Sequence, residues 1–399
     1  MVKSEIKISV IIPILNNAES LKKVIPGLNE QVYLPSEIVI IDSTKGEEIE
    51  DAIQEIVSKV PIFYTKVGKA FPYEATNLGA EKAKHEWLAF LDATTTPETT
   101  WLSDYVSFIK RENIDIVFGV TKYVAQTRFQ AIIRACTYGG IGHETAPGTL
   151  MRKEDFFRTG RIIEGVRSGG DIEWRNRLKI LGYSWFTPSK VYLTYTALPT
   201  SLREAVKKFF IYQLHGAKLD VQNTVKSVYL ALLLVLSAII IPKWNSLVGW
   251  ESSPLYMPNI TKIYLSTLVI FFIGLLIINK LLLKKIASPF FSNMLKTAIL
   301  ISLFYVFFRW NEVIAGWVED SVWYIPNITK IYVLSILLAS IIYRGLYFPL
   351  KNKIEKEFLF PFRWIQVGLV GLLLDLAKTP GYIIGSLMIP YKKGKGKGK

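Results

Sequence analysis

The chain has 399 residues, half of them hydrophobic, and 48 lysines and arginines against 33 acids give it a net charge of +15. That length allows about two domains of roughly 100–200 residues each, and that hydrophobicity argues against a wholly soluble chain. The single cysteine, Cys136, excludes an intrachain disulfide and a thiolate metal cage; it reads as a small buried hydrophobe.

Lys3 and Lys7 precede a run, 8–15, that is too short for a signal peptide and is interrupted by Pro13 and Asn16-Asn17. The N-terminal half is therefore expected to stay in the cytoplasm. Within it, strands and helices alternate. Strands are predicted at 8–12, 37–41, 62–65, 87–91 and 114–120, with helices at 18–29, 46–59, 73–84 and 100–112. Such alternation implies an α/β domain with a mostly parallel sheet.

Residues 201–219 intersperse Leu202, Val206, Phe209, Phe210 and Leu214 with Arg203, Lys207 and Lys208. This is a basic amphipathic helix suited to lying on a cytoplasmic leaflet, or else a surface helix of the first domain. Beyond it the composition changes. Apolar segments at 227–241, 263–283, 294–308 and 331–350 approach the ~20 residues that a span needs. Pro258-Asn259-Ile260-Thr261-Lys262-Ile263-Tyr264 recurs as Pro326-Asn327-Ile328-Thr329-Lys330-Ile331-Tyr332, and upstream tryptophans, Trp250 and Trp317, recur with it. Asn259 and Asn327 read as helix caps rather than glycan sites. The predicted C-terminal architecture is thus an all-α transmembrane domain of two duplicated helical hairpins.

Lys280, Lys284, Lys285 and Lys296 crowd the middle connection, and Lys351, Lys353, Lys356 and Arg363 follow the fourth segment. By the positive-inside rule both face the cytoplasm. A further apolar stretch, 364–376, meets Lys378-Thr379-Pro380-Gly381 and is expected to be re-entrant or interfacial, with the Lys-Gly tail inside. The predicted division is 1–200, an α/β domain; 201–222, an interfacial helix and linker; 223–350, the membrane domain; and 351–399, the interfacial segment and tail. The basic groups fit an anionic membrane surface; no nucleic-acid module is present.

Chemistry concentrates in three carboxylates. Asp42 and Asp92 each end an apolar strand, where an open α/β sheet meets its ligands. Asp171, in Ser168-Gly169-Gly170-Asp171, opens a helix, and its glycines allow close backbone approach to a ligand. His143-Glu144 lacks a metal-ligand partner at helical spacing and reads as a satisfied pair. His215 reads as structural. Arg175 and Arg177 face either a phosphate or a nearby carboxylate.

Ser9-Val10-Ile11-Ile12-Pro13, Val39-Ile40-Ile41-Asp42, Asn77-Leu78-Gly79-Ala80 with Phe90-Leu91-Asp92, Gly148-Thr149-Leu150-Met151-Arg152-Lys153, and Gly170-Asp171 with Gly182-Tyr183 follow one another in an order that resembles glycosyltransferase family 2. The resemblance covers roughly residues 7–190. It implies a GT-A fold, Rossmann-like, and transfer of a sugar from a nucleotide diphosphate sugar to an acceptor hydroxyl. By resemblance, Asp171 is the catalytic base, and Pro13, Asp42, Asn77 and Asp92 bind the donor. The family's Asp-X-Asp reads Asp92-Ala93-Thr94 here, so the second acid is missing. A divalent metal, Mg or Mn, then leans on Asp92 and the diphosphate or is held weakly, because a hydroxyl is a poorer ligand than a carboxylate.

The sequence therefore predicts a multi-pass membrane protein with a cytoplasmic catalytic domain. It is read as an inverting transferase acting on a lipid-linked or cell-envelope glycan. Two other readings stay open: a polyprenyl-phosphate glycosyltransferase, and a non-catalytic membrane scaffold.

Overall fold

The structure, a computed structural model, describes residues 5–112, 114–219, 221 and 337–388. The opening elements alternate as expected: β1 (Ile8–Ile14), α1 (Ala18–Asn29), β2 (Glu37–Asp42), α2 (Glu48–Glu55), β3 (Ile62–Lys66), α3 (Pro72–Lys82) and β4 (Trp87–Phe90). The chain then runs through β5 (Thr95–Pro97), α4 (Trp101–Glu112), β6 (Ile116–Tyr123), α5 (Arg128–Thr137), β7 (Gly142–Arg152), α6 (Lys153–Arg158), α7 (Gly170–Ile180), β8 (Trp185–Phe186), β9 (Leu193–Tyr195) and α8 (Leu202–Lys218).

The nine strands of the described residues form one sheet, in the order β3-β2-β1-β4-β7-β6-β9-β5, with β8 paired to β6. Helices cover both faces of its parallel part, so Val10-Ile11-Ile12 of β1 and Ile38-Val39-Ile40-Ile41 of β2 are continuous apolar runs rather than alternating. On β1, Val10 and Ile12 pack with Leu21, Val24, Ile25 and Leu28 of α1. Ile11, which points the other way, packs with Val39, Ile41, Ala75, Ala80, Phe90 and Trp174. Gly79 lets α3 close on β1, because a Cβ there would lie 2.4 Å from Ile11 Cγ2. Gly79→Val is expected to cost about 1–3 kcal/mol by overpacking, read as a fall in the denaturation midpoint.

Most pairings are parallel, as expected, but the sheet is mixed. β7 runs antiparallel to both β4 and β6, and β5 antiparallel to β9. Pro147 and Gly148 sit inside β7, and its register against β6 shifts between Val117 and Gly119. A Cβ on Gly119 would overlap the Pro147 carbonyl oxygen. An irregular strand of this kind has neither clean period-2 alternation nor a continuous apolar run.

The described C-terminal part begins with helical residues 337–342 and a π-helical turn, Tyr343–Tyr347. It continues through α9 (Phe348–Lys351), α10 (Lys356–Leu359) and the long α11 (Arg363–Leu387). The apolar stretch 364–376 lies within this helix, which continues through Pro380. Its last turns rest on α8, where Gly381 and Gly385 come against the backbone oxygens of Phe210 and Leu214. Val367 and Leu374 pack with Ile133, Cys136, Leu198, Ala205 and Phe209. The buried face of α8 is therefore covered by protein. Ile365, Leu369, Leu373, Leu376 and Ile384 remain exposed on α11.

Among the described residues, no helix is long and apolar enough to cross a membrane. The predicted segments at 227–241, 263–283 and 294–308, and both copies of the repeat, lie outside the described residues. So do the first residues of the segment at 331–350.

Candidate active site

Asp42 stands at, and Asp92 just beyond, the carboxyl ends of β2 and β4, the two parallel strands that flank β1. Ile14 is in register with Asp42, and Ile11 with Phe90, two residues before Asp92. The Asp42 carboxylate is fully buried; it accepts the Thr44 amide at 2.8 Å and the Tyr64 hydroxyl at 2.9 Å. It shapes the turn that follows β2, beside the half-buried Pro13. Asn77 lies deeper, at 1% exposure. Its amide donates to the Ile162 carbonyl and Glu164 and accepts from the Ile162 amide, pinning the 160–165 segment to α3.

Asp92 is held by its backbone, whose carbonyl accepts both the amide and the hydroxyl of Thr95. Its carboxyl is pushed up to about 6, first by burial and then by the negative charge of Asp171, with Lys208 partly offsetting both. Asp171 comes from a distant part of the chain, in the first turn of α7 after Gly169 at φ 84°. The Tyr73 hydroxyl donates to it at 3.1 Å, and Arg175 lies 3.7 Å from its other oxygen. Gly170 permits close approach, to the Tyr73 ring: a Cβ there would lie 2.7 Å from it.

The raised Asp92 value has a consequence for stability. A carboxyl that binds its proton more tightly when folded loses stability as pH climbs from the unfolded value, near 4, through about 6. Asp92→Asn removes that charge. The variant should melt above the wild type at pH 8, by the order of 2–3 kcal/mol, and the advantage should shrink steadily toward pH 4. Melting curves across that range check it.

The remaining candidates are engaged elsewhere. Arg175 pairs with Glu144 at 2.6 Å as well as with Asp171, and Glu144 also takes Lys179 and Thr187. His143 meets the Tyr138 carbonyl at 2.7 Å, so the expectation of a satisfied pair holds. Arg177 pairs with Glu173 and reaches the Thr159 and Arg161 carbonyls. His215 lies edge-on to Phe71 with Nδ1 buried and without a hydrogen-bond partner. A cavity of about 390 Å³ lies at Glu144, Thr187 and Lys353, separate from Asp92 and Asp171.

Sequence reasoning missed the groups that surround the acids. Tyr73 is one. Lys208 is another, read as facing a leaflet. In the structure it is half-buried, and its ammonium donates to the Tyr195 hydroxyl at 2.9 Å. Tyr123, Tyr195 and Tyr212 are the rest, and the acids raise all three phenols further after burial has done so. No local signal in the sequence marks these residues, because they reach the acids only through the packing of α3, α8 and the sheet.

The residues present do not form a metal-binding set. Among the described residues, no group of three or more His, Cys, Asp or Glu could hold an ion. Thr94, in place of the second acid, offers only a hydroxyl.

An α/β sheet that presents acids beyond its parallel strand ends, faced by a further acid at a helix start, is placed to meet a polar ligand. Residues 9–160 match the model described as Glycosyl transferase family 2, so this part of the chain, on its mixed α/β sheet, is similar to that family. Glycosyltransferase AglE of Haloferax volcanii is 27% identical over 194 residues, covering 44% of this chain and 62% of that protein. The chondroitin synthase of Escherichia coli is 27% identical over 172 residues, 42% of this chain and 24% of that one. The chain thus spans less than two thirds of these relatives' lengths. Among solved structures, S. aureus TarS 1-349 in complex with UDP-GlcNAc is 15% identical, covers 63% of this chain and 78% of that one, and has a TM-score of 0.39. At that score the likeness does not extend to a comparison of sites.

Proposed function

We propose that the chain is an inverting glycosyltransferase that moves a sugar from a nucleoside diphosphate sugar to a hydroxyl of a lipid-linked or envelope glycan. The observation that carries this is the meeting of Asp92 and Asp171, 79 positions apart in the chain, at one sheet edge, with Asp171 steadied by Tyr73 and Arg175.

In this reading Asp171 takes the proton of the acceptor hydroxyl as its oxygen attacks the anomeric carbon. The bond from that carbon to the diphosphate breaks on the opposite face, and the electron pair leaves with the phosphate oxygen. Asp42 and Pro13 shape the nucleoside end of the site. Asn77 acts by holding the 160–165 segment against α3. Asp92 meets the ribose or the diphosphate.

The membrane part of the proposal rests on the apolar segments at 227–241, 263–283 and 294–308. The exposed stripe of α11, with Lys351, Lys353 and Lys356 nearby in the chain, suits the surface of an anionic leaflet. The catalytic domain then sits on the cytoplasmic side with the lysine-rich connections.

The test is nucleotide release by the full chain in lipid, from a panel of nucleotide sugars with polyprenyl-linked acceptors. Acceptor-dependent release from one donor supports the proposal. Neither release nor donor binding would leave the scaffold reading in its place.

A further inference from the structure

A nucleoside diphosphate brings negative charge into a site that already holds Asp92 and Asp171. Something positive must answer it, both in binding and as the phosphate oxygen gains charge on leaving. A metal would serve, but Thr94 stands in place of a second acid after Asp92, and among the described residues no three protein ligands gather to hold one. The chain's own cations are the alternative, and most near the site are committed. Arg175 is shared between Glu144 and Asp171, and Arg177 belongs to Glu173 and two carbonyls.

Lys208 is not committed in this way. Among the described residues it makes no ion pair; its ammonium donates to the Tyr195 hydroxyl and lies 5.1 Å and 5.6 Å from the ring centres of Tyr195 and Tyr212. Tyr195 stands opposite Thr95 in the β5–β9 ladder, and its hydroxyl donates to the Ala197 carbonyl. Lys208 is therefore joined through one phenol to β5, which begins three residues after Asp92. Burial disfavours the Lys208 ammonium, and the charges of Glu204 and Asp92 offset only part of that; a ligand phosphate would stabilise the ammonium further.

We propose that Lys208 is the diphosphate-binding cation of this site, and that the chain holds its donor without a divalent metal. The inference rests on the transferase reading and adds which group answers the leaving charge. As the bond from the anomeric carbon to the phosphate oxygen breaks, the electron pair passes to that oxygen, and the Lys208 ammonium donates a hydrogen bond to it. Helix α8 is then part of the donor site as well as the seat of α11.

The test is equilibrium binding of UDP, GDP, ADP and dTDP, and of the matching nucleosides, to the full chain in lipid, in EDTA and in Mn²⁺. One diphosphate should bind equally well in both. Lys208→Gln should weaken it about 10- to 100-fold in EDTA, the loss of a charge-assisted hydrogen bond, with the nucleoside unaffected. Lys208→Arg should recover most of the loss. Melting curves confirm that each variant is folded. In Thr94→Asp/Lys208→Gln, binding should return only with Mn²⁺. A wild type that needs Mn²⁺, or a Lys208→Gln chain that binds diphosphate normally in EDTA, overturns the assignment and leaves the transferase reading standing. Binding of no nucleotide under either condition overturns both.

Discussion

Asp171→Asn is expected to remove acceptor-dependent sugar transfer while leaving donor affinity within about twofold. General-base assistance contributes roughly 10²–10⁴-fold, and the amide cannot take the proton. The substitution keeps the shape of the side chain and its hydrogen bond from Tyr73. It also lifts a negative charge from beside Asp92, so the donor diphosphate meets less repulsion, not more. Steady-state release of nucleotide should therefore fall in kcat, with KM for the donor little changed. A rise in KM alone would assign Asp171 to binding. Transfer that survives intact would favour a phosphate acceptor, which needs no base.

Asp375→Ala should undo the docking of the C-terminal helix. Asp375 on α11 accepts two hydrogen bonds from Arg344, at 2.7 and 2.8 Å, and lies 3.3 Å from Lys378. Arg344 also donates to the Cys136 carbonyl at the end of α5. The Arg344 side chain is only 8% exposed. Removing one partner of such a pair strands the other charge and costs about 3–5 kcal/mol. Limited proteolysis should then cut α11, and melting should begin earlier. Arg344→Met/Asp375→Leu removes both charges and should recover much of the loss. If Asp375→Ala leaves the protease pattern unchanged, apolar packing alone holds α11.

Much of the parallel half of the fold was legible in the sequence because both faces of β1 and β2 are buried. Two-sided burial demands unbroken runs such as Ile38-Val39-Ile40-Ile41, and those runs stop at the sheet edge on an acid. Period and helix starts placed α1, α3 and α4 within a residue or two. β7 was not legible, because Gly142, Pro147 and Gly148 break its pattern and its pairing is set by distant strands. The three acids could be picked out because each follows a local signal, a strand end or a helix start. Tyr73 and Lys208 could not, since nothing local says which face of α3 or α8 meets Asp171 or Asp92.

The same limit explains two shifts of emphasis. The glycine before Asp171 was read as room for a ligand, yet the neighbour that needs the room is the Tyr73 ring. The apolar stripe of α8 was read as a membrane face, yet Phe209 and Ala205 are buried in a cluster with Val367 and Leu374 of α11. An amphipathic pattern states that a face is covered and is silent about what covers it.

The measurement that bears most directly on the central claim is the anomeric configuration of the transferred sugar, followed by NMR from donor to first-formed product. A single displacement assisted by Asp171 predicts a product of opposite configuration to the donor, formed by the wild type and not by Asp171→Asn. A product that keeps the donor's configuration would contradict the account, because it requires a second displacement that this pair of acids is not proposed to perform.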